Sequence, residues 1–274
     1  MRQGEDIENG QNPWYNRKKI PEERVMKEHL HTAPVNEAFL SEDECPFCYL
    51  QRQTEQRIIR YVAGPGASYM EPDVRGATDQ LGFCPTHLKK LYDYGNTLGN
   101  ALMLQTYYLG MLDRLKAEME RFEAPAPKKL FSKPTVSTDG TWKNIQQEVE
   151  HCYICDRLNE NMQRYYHTFF VMLKDAEFRS RVENCKGFCL HHFSEMLHGA
   201  EEWLPNGQRQ WFYDTVYPLM ENNLNRVKND LDWLIAKYDY RNASAGWKNS
   251  RDALQRAMQK LGAGHVADKP FHED

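Results

Sequence analysis

Six cysteines and two histidines fall into one pattern that is written twice along the chain. The first copy reads Cys45-Pro46-Phe47-Cys48, then Gly82-Phe83-Cys84-Pro85-Thr86-His87. The second reads Cys152-Tyr153-Ile154-Cys155, then Gly187-Phe188-Cys189-Leu190-His191-His192. Cys48 and Cys84 lie 36 positions apart, and Cys155 and Cys189 lie 34 apart. Residue types, spacings and the Gly-Phe prefix together mark an internal duplication. The likeness extends into the spacers, where Glu71-Pro72-Asp73-Val74-Arg75 answers Asp175-Ala176-Glu177-Phe178-Arg179. The chain therefore reads as an extension (1–33), a first half (34–122), a linker containing prolines (123–141), a second half (142–241) and a C-terminal helix with a tail (242–274).

Three thiolates and one imidazole make a regular tetrahedral zinc set. Taken copy by copy, the spacing predicts two Zn2+ sites, Cys45/Cys48/Cys84/His87 and Cys152/Cys155/Cys189/His192. Pro46 and Pro85 favour the first position of a helix, which puts Cys45 and Cys84 at N-caps and their partners at the third helical residue. Helix N-termini present free N–H groups and positive dipole ends, which suit thiolates and a centre of formal charge −1. Tyr153 and Leu190 stand where the prolines stood, so the second copy signals its helix starts less clearly. The first copy's spacing selects His192, not the adjacent His191, as the ligand. Three other readings of the cysteines stay open: an iron–sulfur cluster, a dithiol redox pair, and buried thiols without a ligand role. Four protein ligands close a tetrahedron, so the zinc is expected to be structural. The deaminase pattern H-x-E…P-C-x2-C and the protease pattern H-E-x2-H are both absent from the sequence.

Charge and hydropathy narrow the setting. Thirty-five Lys and Arg against 39 Asp and Glu give a net charge of −4, which argues against a broad basic platform for nucleic acid. No apolar run approaches the roughly 18 residues of a membrane-spanning helix, and the N-terminal residues lack the apolar stretch of a signal peptide. The expected location is the cytoplasm, where thiols stay reduced and seven cysteines need another explanation than disulfides.

Helical periodicity dominates, and the expected fold class is all-α, with two homologous halves each stapled by a Cys3His site. Leu98, Leu102, Tyr108, Leu109, Leu112, Leu115, Met119 and Phe122 predict a helix over 97–122. Phe212, Val216, Leu219, Leu224, Val227, Leu231, Leu234 and Tyr238 predict another, which Pro218 should kink or split. Shorter helices are expected at 251–261, ended by Gly262, and within 22–31. Apolar stripes of this kind read as core. Cys185 reads as a bystander, and the acidic and basic residues around Arg75 and Arg179 read as caps or ion pairs.

With these residues laid out, the chain resembles an uncharacterised family, domain of unknown function 6062, found in bacteria and mostly in anaerobic Firmicutes. The resemblance is carried by Pro34-Val35-Asn36-Glu37-Ala38-Phe39 leading into Glu44-Cys45-Pro46-Phe47-Cys48, by Glu71–Arg75, by both Gly-Phe-Cys motifs, and by Lys237-Tyr238-Asp239-Tyr240-Arg241. It covers about 34–262 and implies a real bacterial protein with paired Cys/His motifs, without an activity. The expected role is non-enzymatic binding of a protein or small-molecule partner in the groove between the halves, with neither nucleic acid nor membrane as partner. A zinc–thiolate switch released by oxidation, and an enzyme whose metal exchanges a ligand for substrate, are the alternatives.

Overall fold

The computed structural model describes residues 29–122, 141–264 and 266. The expected linker, apart from Thr141, and the part of the expected N-terminal helix before His29 lie outside these residues. Among the described residues there are eleven α-helices and no strand. They are α1 His29–Leu40, α2 Pro46–Ala63, α3 Pro72–Leu81, α4 Pro85–Tyr94, α5 Thr97–Arg121, α6 Thr141–Glu150, α7 Tyr153–Met172, α8 Ala176–Asn184, α9 Leu190–Trp203, α10 Asn206–Ala236 and α11 Ala253–Gly262.

The helices α2 to α5 run long, short, short, long, and α7 to α10 repeat that order with a somewhat longer α9. The two leading helices, α2 and α7, pack antiparallel. Phe47 at the start of α2 meets Tyr166 and Phe169 near the end of α7, with ring centroids 5.1 and 5.6 Å apart. Ile59 and Val62 near the end of α2 share a core with Tyr153 and Ile154 at the start of α7. The larger core gathers Phe39, Phe47, Phe169, Phe178, Phe188 and Phe212 around Cys45, Cys48 and Cys189. Edge-to-face ring packing predominates there, the arrangement aromatic quadrupoles favour.

Three helices differ from expectation. The described α1 continues to Leu40, through a stretch whose periodicity is only one turn deep. Val35, Ala38 and Phe39 are its buried apolar residues, too few to announce a helix. In α10, Pro218 lies inside an unbroken helix of 31 residues. Pro218 and Asp214 both face solvent, where water can take the hydrogen bond that the proline cannot make.

The third difference is α5, whose apolar stripe is not core. Gly99 and Met103 are its buried residues, while Leu98, Leu109 and Met119 are about two-thirds exposed. Its inner face is fixed by polar contacts as well as packing. Arg75 of α3 donates to the Leu102 carbonyl at 2.9 Å and to the Thr106 hydroxyl at 3.1 Å, a structural use, though through neutral acceptors and not the expected cap or ion pair.

Candidate metal centres

All four motif cysteines that open a helix stand at its N-cap: Cys45 for α2, Cys84 for α4, Cys152 for α7 and Cys189 for α9. Each partner, Cys48, His87, Cys155 or His192, then falls at the third helical residue and points back over the cap. The second copy achieves this without proline.

The glycine that opens each Gly-Phe-Cys turn is required by the backbone. Gly82 and Gly187 have φ of +57° and +73°, the left-handed region that a side chain disfavours. A Cβ at Gly82 would also lie 2.7 Å from the Tyr107 ring. The carbonyl of Gly82 accepts from the Tyr153 N–H at 3.0 Å, tying the first half's turn to the second half's first turn of helix.

The eight predicted ligand residues gather into two groups, but across the halves and not within them. One group is Cys45, Cys48, Cys189 and His192; the other is Cys84, His87, Cys152 and Cys155. The copy-by-copy assignment of Cys45/Cys48 to Cys84/His87, and of Cys152/Cys155 to Cys189/His192, is corrected accordingly. Helix length is the physical reason. From Cys48 to the end of α2 at Ala63 the chain travels about 22 Å, and an α3 of 10 residues spans only about 15 Å on the way back. The turn bearing Cys84 is therefore stranded near the far end of α2. Because α7 runs antiparallel, that far end is where Cys152 and Cys155 begin. The same geometry sends Cys189 to the start of α2. Each group thus receives two helix N-termini, one from each half.

The distances within each group suit a single ion. Bond lengths of about 2.3 Å to sulfur and about 2.0 Å to nitrogen, set tetrahedrally, place sulfurs about 3.8 Å apart and sulfur and nitrogen about 3.5 Å apart. Cys48 Sγ lies 3.6 Å from Cys189 Sγ, and Cys84 Sγ lies 3.8 Å from Cys155 Sγ. The Nδ1 of His192 is 3.5 Å from Cys45 and Cys48 and 3.1 Å from Cys189. That of His87 is 3.2 Å from Cys84 and Cys152 and 3.3 Å from Cys155. All four donor atoms of each group lie within 4.8 Å of one another.

Electrostatics point the same way. The Cys155 thiol beside it draws Cys152 down to about 3 against the opposing effect of burial, and Cys155 is in turn pushed far up. Burial alone would lower His87, but Cys152 and Glu55 raise it to about 10. In the other group burial opposes ionisation of Cys45, yet Cys189 and Cys48 bring it well below the usual thiol range. Cys48 is pushed far up by Cys189 and Cys45. Three thiolates and a neutral imidazole can coexist in such a space when a divalent cation balances them.

The two groups have different surroundings. His87 presents its other nitrogen, Nε2, to the Glu55 carboxylate at 3.0 Å, and Lys90 donates to the same carboxylate at 2.5 Å. This is the carboxylate–histidine arrangement that fixes the tautomer leaving Nδ1 free to ligate. Glu55 stands seven residues after Cys48, two turns along α2; Met162, seven after Cys155, occupies the corresponding place on α7. His192 instead sits among rings, with Phe47 at 5.9 Å and Tyr166 at 6.2 Å. His191 is exposed on the outer side and is not part of either group. Replacing Glu55 by Gln should weaken metal binding at the His87 group about 10- to 100-fold and leave the other group unchanged, as competition against a chromogenic chelator would show.

The Cys45 group is closed by residues that no periodicity announced. Lys260 of α11 is 1% exposed, and its ammonium donates to the Glu44 carbonyl at 2.6 Å and the Lys186 carbonyl at 2.5 Å. Those carbonyls flank the two turns that carry Cys45 and Cys189. The Glu44 carboxylate, also buried, lies 3.3 Å from Lys260 and 2.6 Å from Arg226. Next to it, Asp43 accepts from the Cys45 N–H at 3.0 Å and is held by Gln259 at 2.5 Å and Arg52 at 2.7 Å. Cys185 is no ligand. Burial pushes its thiol up to about 11. Around Arg179 the side chains serve structure: Asp175 caps α8, Glu177 pairs with Arg181, and Arg179 stacks on Trp211.

Fold and site together define an all-α protein organised around two Cys/His groups that could each hold a metal ion. The chain belongs to the family described as Family of unknown function (DUF6062), which matches residues 26–268. No curated protein and no solved structure matches it. No described helix is long and apolar enough to cross a membrane.

Proposed function

We propose that the two groups hold one Zn2+ each, that both ions are structural, and that the protein is a zinc-braced scaffold for binding a partner or small ligand. The observation that carries this reading is the closed donor set. Three sulfurs and one imidazole nitrogen converge at the separations of a tetrahedral zinc centre, which leaves no coordination position for a reacting water. A multi-iron cluster puts its ligands on separate metals and spreads them more widely than donors gathered within 4.8 Å. Zinc bound here supplies structural linkage, since each centre draws one ligand pair from either half.

The binding part of the reading is supported by an open cleft of about 640 Å³ between α1, α2, α3 and α7. Both halves line it, with Arg57 and Tyr61 on one side and Tyr153 and Arg157 on the other. Arg57 is steadied by the Tyr165 hydroxyl at 3.0 Å and the Thr54 hydroxyl at 3.1 Å. A cleft of this size suits a small molecule or a peptide side chain. Elemental analysis of the anaerobically purified chain tests the metal assignment. Two zincs per chain are expected, falling to one in Cys48→Ser and in Cys155→Ser. Fewer than about one tightly bound zinc per half would overturn the assignment, because structural sites bind tightly. Absorption in the visible range would point to iron instead.

A further inference from the structure

The two centres share a donor set but not an exposure. We propose, resting on the zinc reading above, that they have separate duties. In this proposal the Cys45/Cys48/Cys189/His192 centre is an inert brace, and the Cys84/His87/Cys152/Cys155 centre is a site of thiolate modification by peroxides. The bond that forms there joins Cys84 to Cys155.

All four ligands of the first centre are buried, each 1% exposed or less. Phenylalanines 47, 169 and 188 pack about it, and Lys260 with Glu44 shuts the side where its two turns meet. A polar oxidant has no approach without opening that core. In the second centre Cys152 and His87 are buried, but Cys84 and Cys155 are only half-buried. The rim beside them is polar, formed by Glu55 and by a Lys90 that is 37% exposed. The two accessible sulfurs are also 3.8 Å apart, so the first to react has its partner already in place.

The chemistry balances with hydrogen peroxide as oxidant. The Cys84 thiolate attacks the peroxide oxygen, an S–O bond forms as the O–O bond breaks, and hydroxide leaves. The Cys155 thiolate then attacks that sulfur, an S–S bond forms, and a second hydroxide leaves. Two electrons pass from the sulfur pair to the peroxide. Cys152 and His87 are then the only donors left, too few to hold the cation. The new disulfide joins the first half to the second, so the brace changes from ionic to covalent at one end of the molecule. A bond within the Cys152-x2-Cys155 turn would instead leave the halves unlinked there.

The test uses the full chain with its two zincs, counted beforehand by elemental analysis. Hydrogen peroxide is added in stoichiometric amount. Released zinc is followed with a chromogenic chelator, and disulfides are mapped by peptide mass spectrometry. One zinc should leave at least about tenfold faster than the other, with a Cys84–Cys155 cross-linked peptide and intact thiols at Cys45, Cys48 and Cys189. Cys185→Ser should behave identically. Release of both zincs at one rate, first loss from the Cys45 centre, or a Cys152–Cys155 bond would overturn the proposal. A chain isolated without zinc would sink the metal assignment separately. Its thiols can still be ranked by alkylation with iodoacetamide: Cys84 and Cys155 should react first, and labelling of Cys45 or Cys189 before them would refute the exposure argument.

Discussion

A chain cut once between residues 123 and 140 should run as a single species on gel filtration until its metal is removed, and should then come apart. Each candidate centre takes Cys-x2-Cys from one half and Cys-x2-His from the other, so an ion held in each would bridge the cut twice. Apparent zinc affinities at structural sites of this type amount to about 10–16 kcal/mol per ion near neutral pH, so each ion rivals the whole stability of a typical domain. What remains after chelation is the shared core of α1 and α2 against α7 and α8, with Arg226 and Lys260 on Glu44, and it is interrupted at both ends by clustered cysteine and histidine side chains with no common counter-ion. The nicked chain should therefore lose most of its helical circular dichroism on treatment with a strong chelator and regain it with added zinc. Centres formed within each half would behave differently. Each fragment would then keep its own ion and persist alone, and survival of a separated first half with one tightly bound zinc would contradict the crossed arrangement.

Lys260→Met should destabilise the protein by about 3 kcal/mol or more and loosen the Cys45 centre selectively. The lysine stem is replaced by one of comparable length, so little packing is lost. What goes is a buried ammonium that bonds two carbonyls and faces the Glu44 carboxylate. Breaking a buried ionic cluster by removing one member costs about 3–5 kcal/mol, because the remaining charge and carbonyls have lost their partner. Arg226 stays on Glu44 and limits the loss. The Glu44–Cys45 and Lys186–Gly187 turns are no longer tied together, so zinc should exchange faster at the Cys45 centre while the His87 centre keeps its rate. Thermal unfolding of the zinc-loaded variant, with chelator exchange read at both centres, checks this. An unchanged Tm would show that α11 is not a working part of the core.

The eight cysteine and histidine positions that gather into the two groups were legible because their spacing is chemical: an N-cap cysteine with a donor three residues on makes a pincer whatever the rest of the chain does. Their partnership was not legible from spacing alone. It depends on the 18-residue length of α2 against the 10-residue α3, and on α7 lying antiparallel to α2, which is a tertiary fact. The long helices could be read from their stripes, but the direction of the α5 stripe could not. Periodicity says that one face is apolar and leaves open which face the rest of the molecule covers. Lys260 and Glu55 were hidden for a simpler reason. A lysine or glutamate on an amphipathic helix ordinarily faces water, and only the neighbouring turns reveal that one is buried and the other holds a histidine. Glu55 did carry a faint signal, standing two full turns beyond Cys48 on the same helix.

The crossed ligand sets also impose an order on biosynthesis. Cys48 and Cys189 are 141 residues apart. At roughly 5–20 residues per second, the first cysteine pair leaves the ribosome about 7–30 s before its partners exist. For most of that interval the growing chain holds two-donor half-sites and an α2 that has α1 and α4 beside it but lacks α7. Neither half can be proofread alone. The Cys84/His87/Cys152/Cys155 group is complete once Cys155 is made, whereas the Cys45/Cys48/Cys189/His192 group and the core around it wait for α9 and α11.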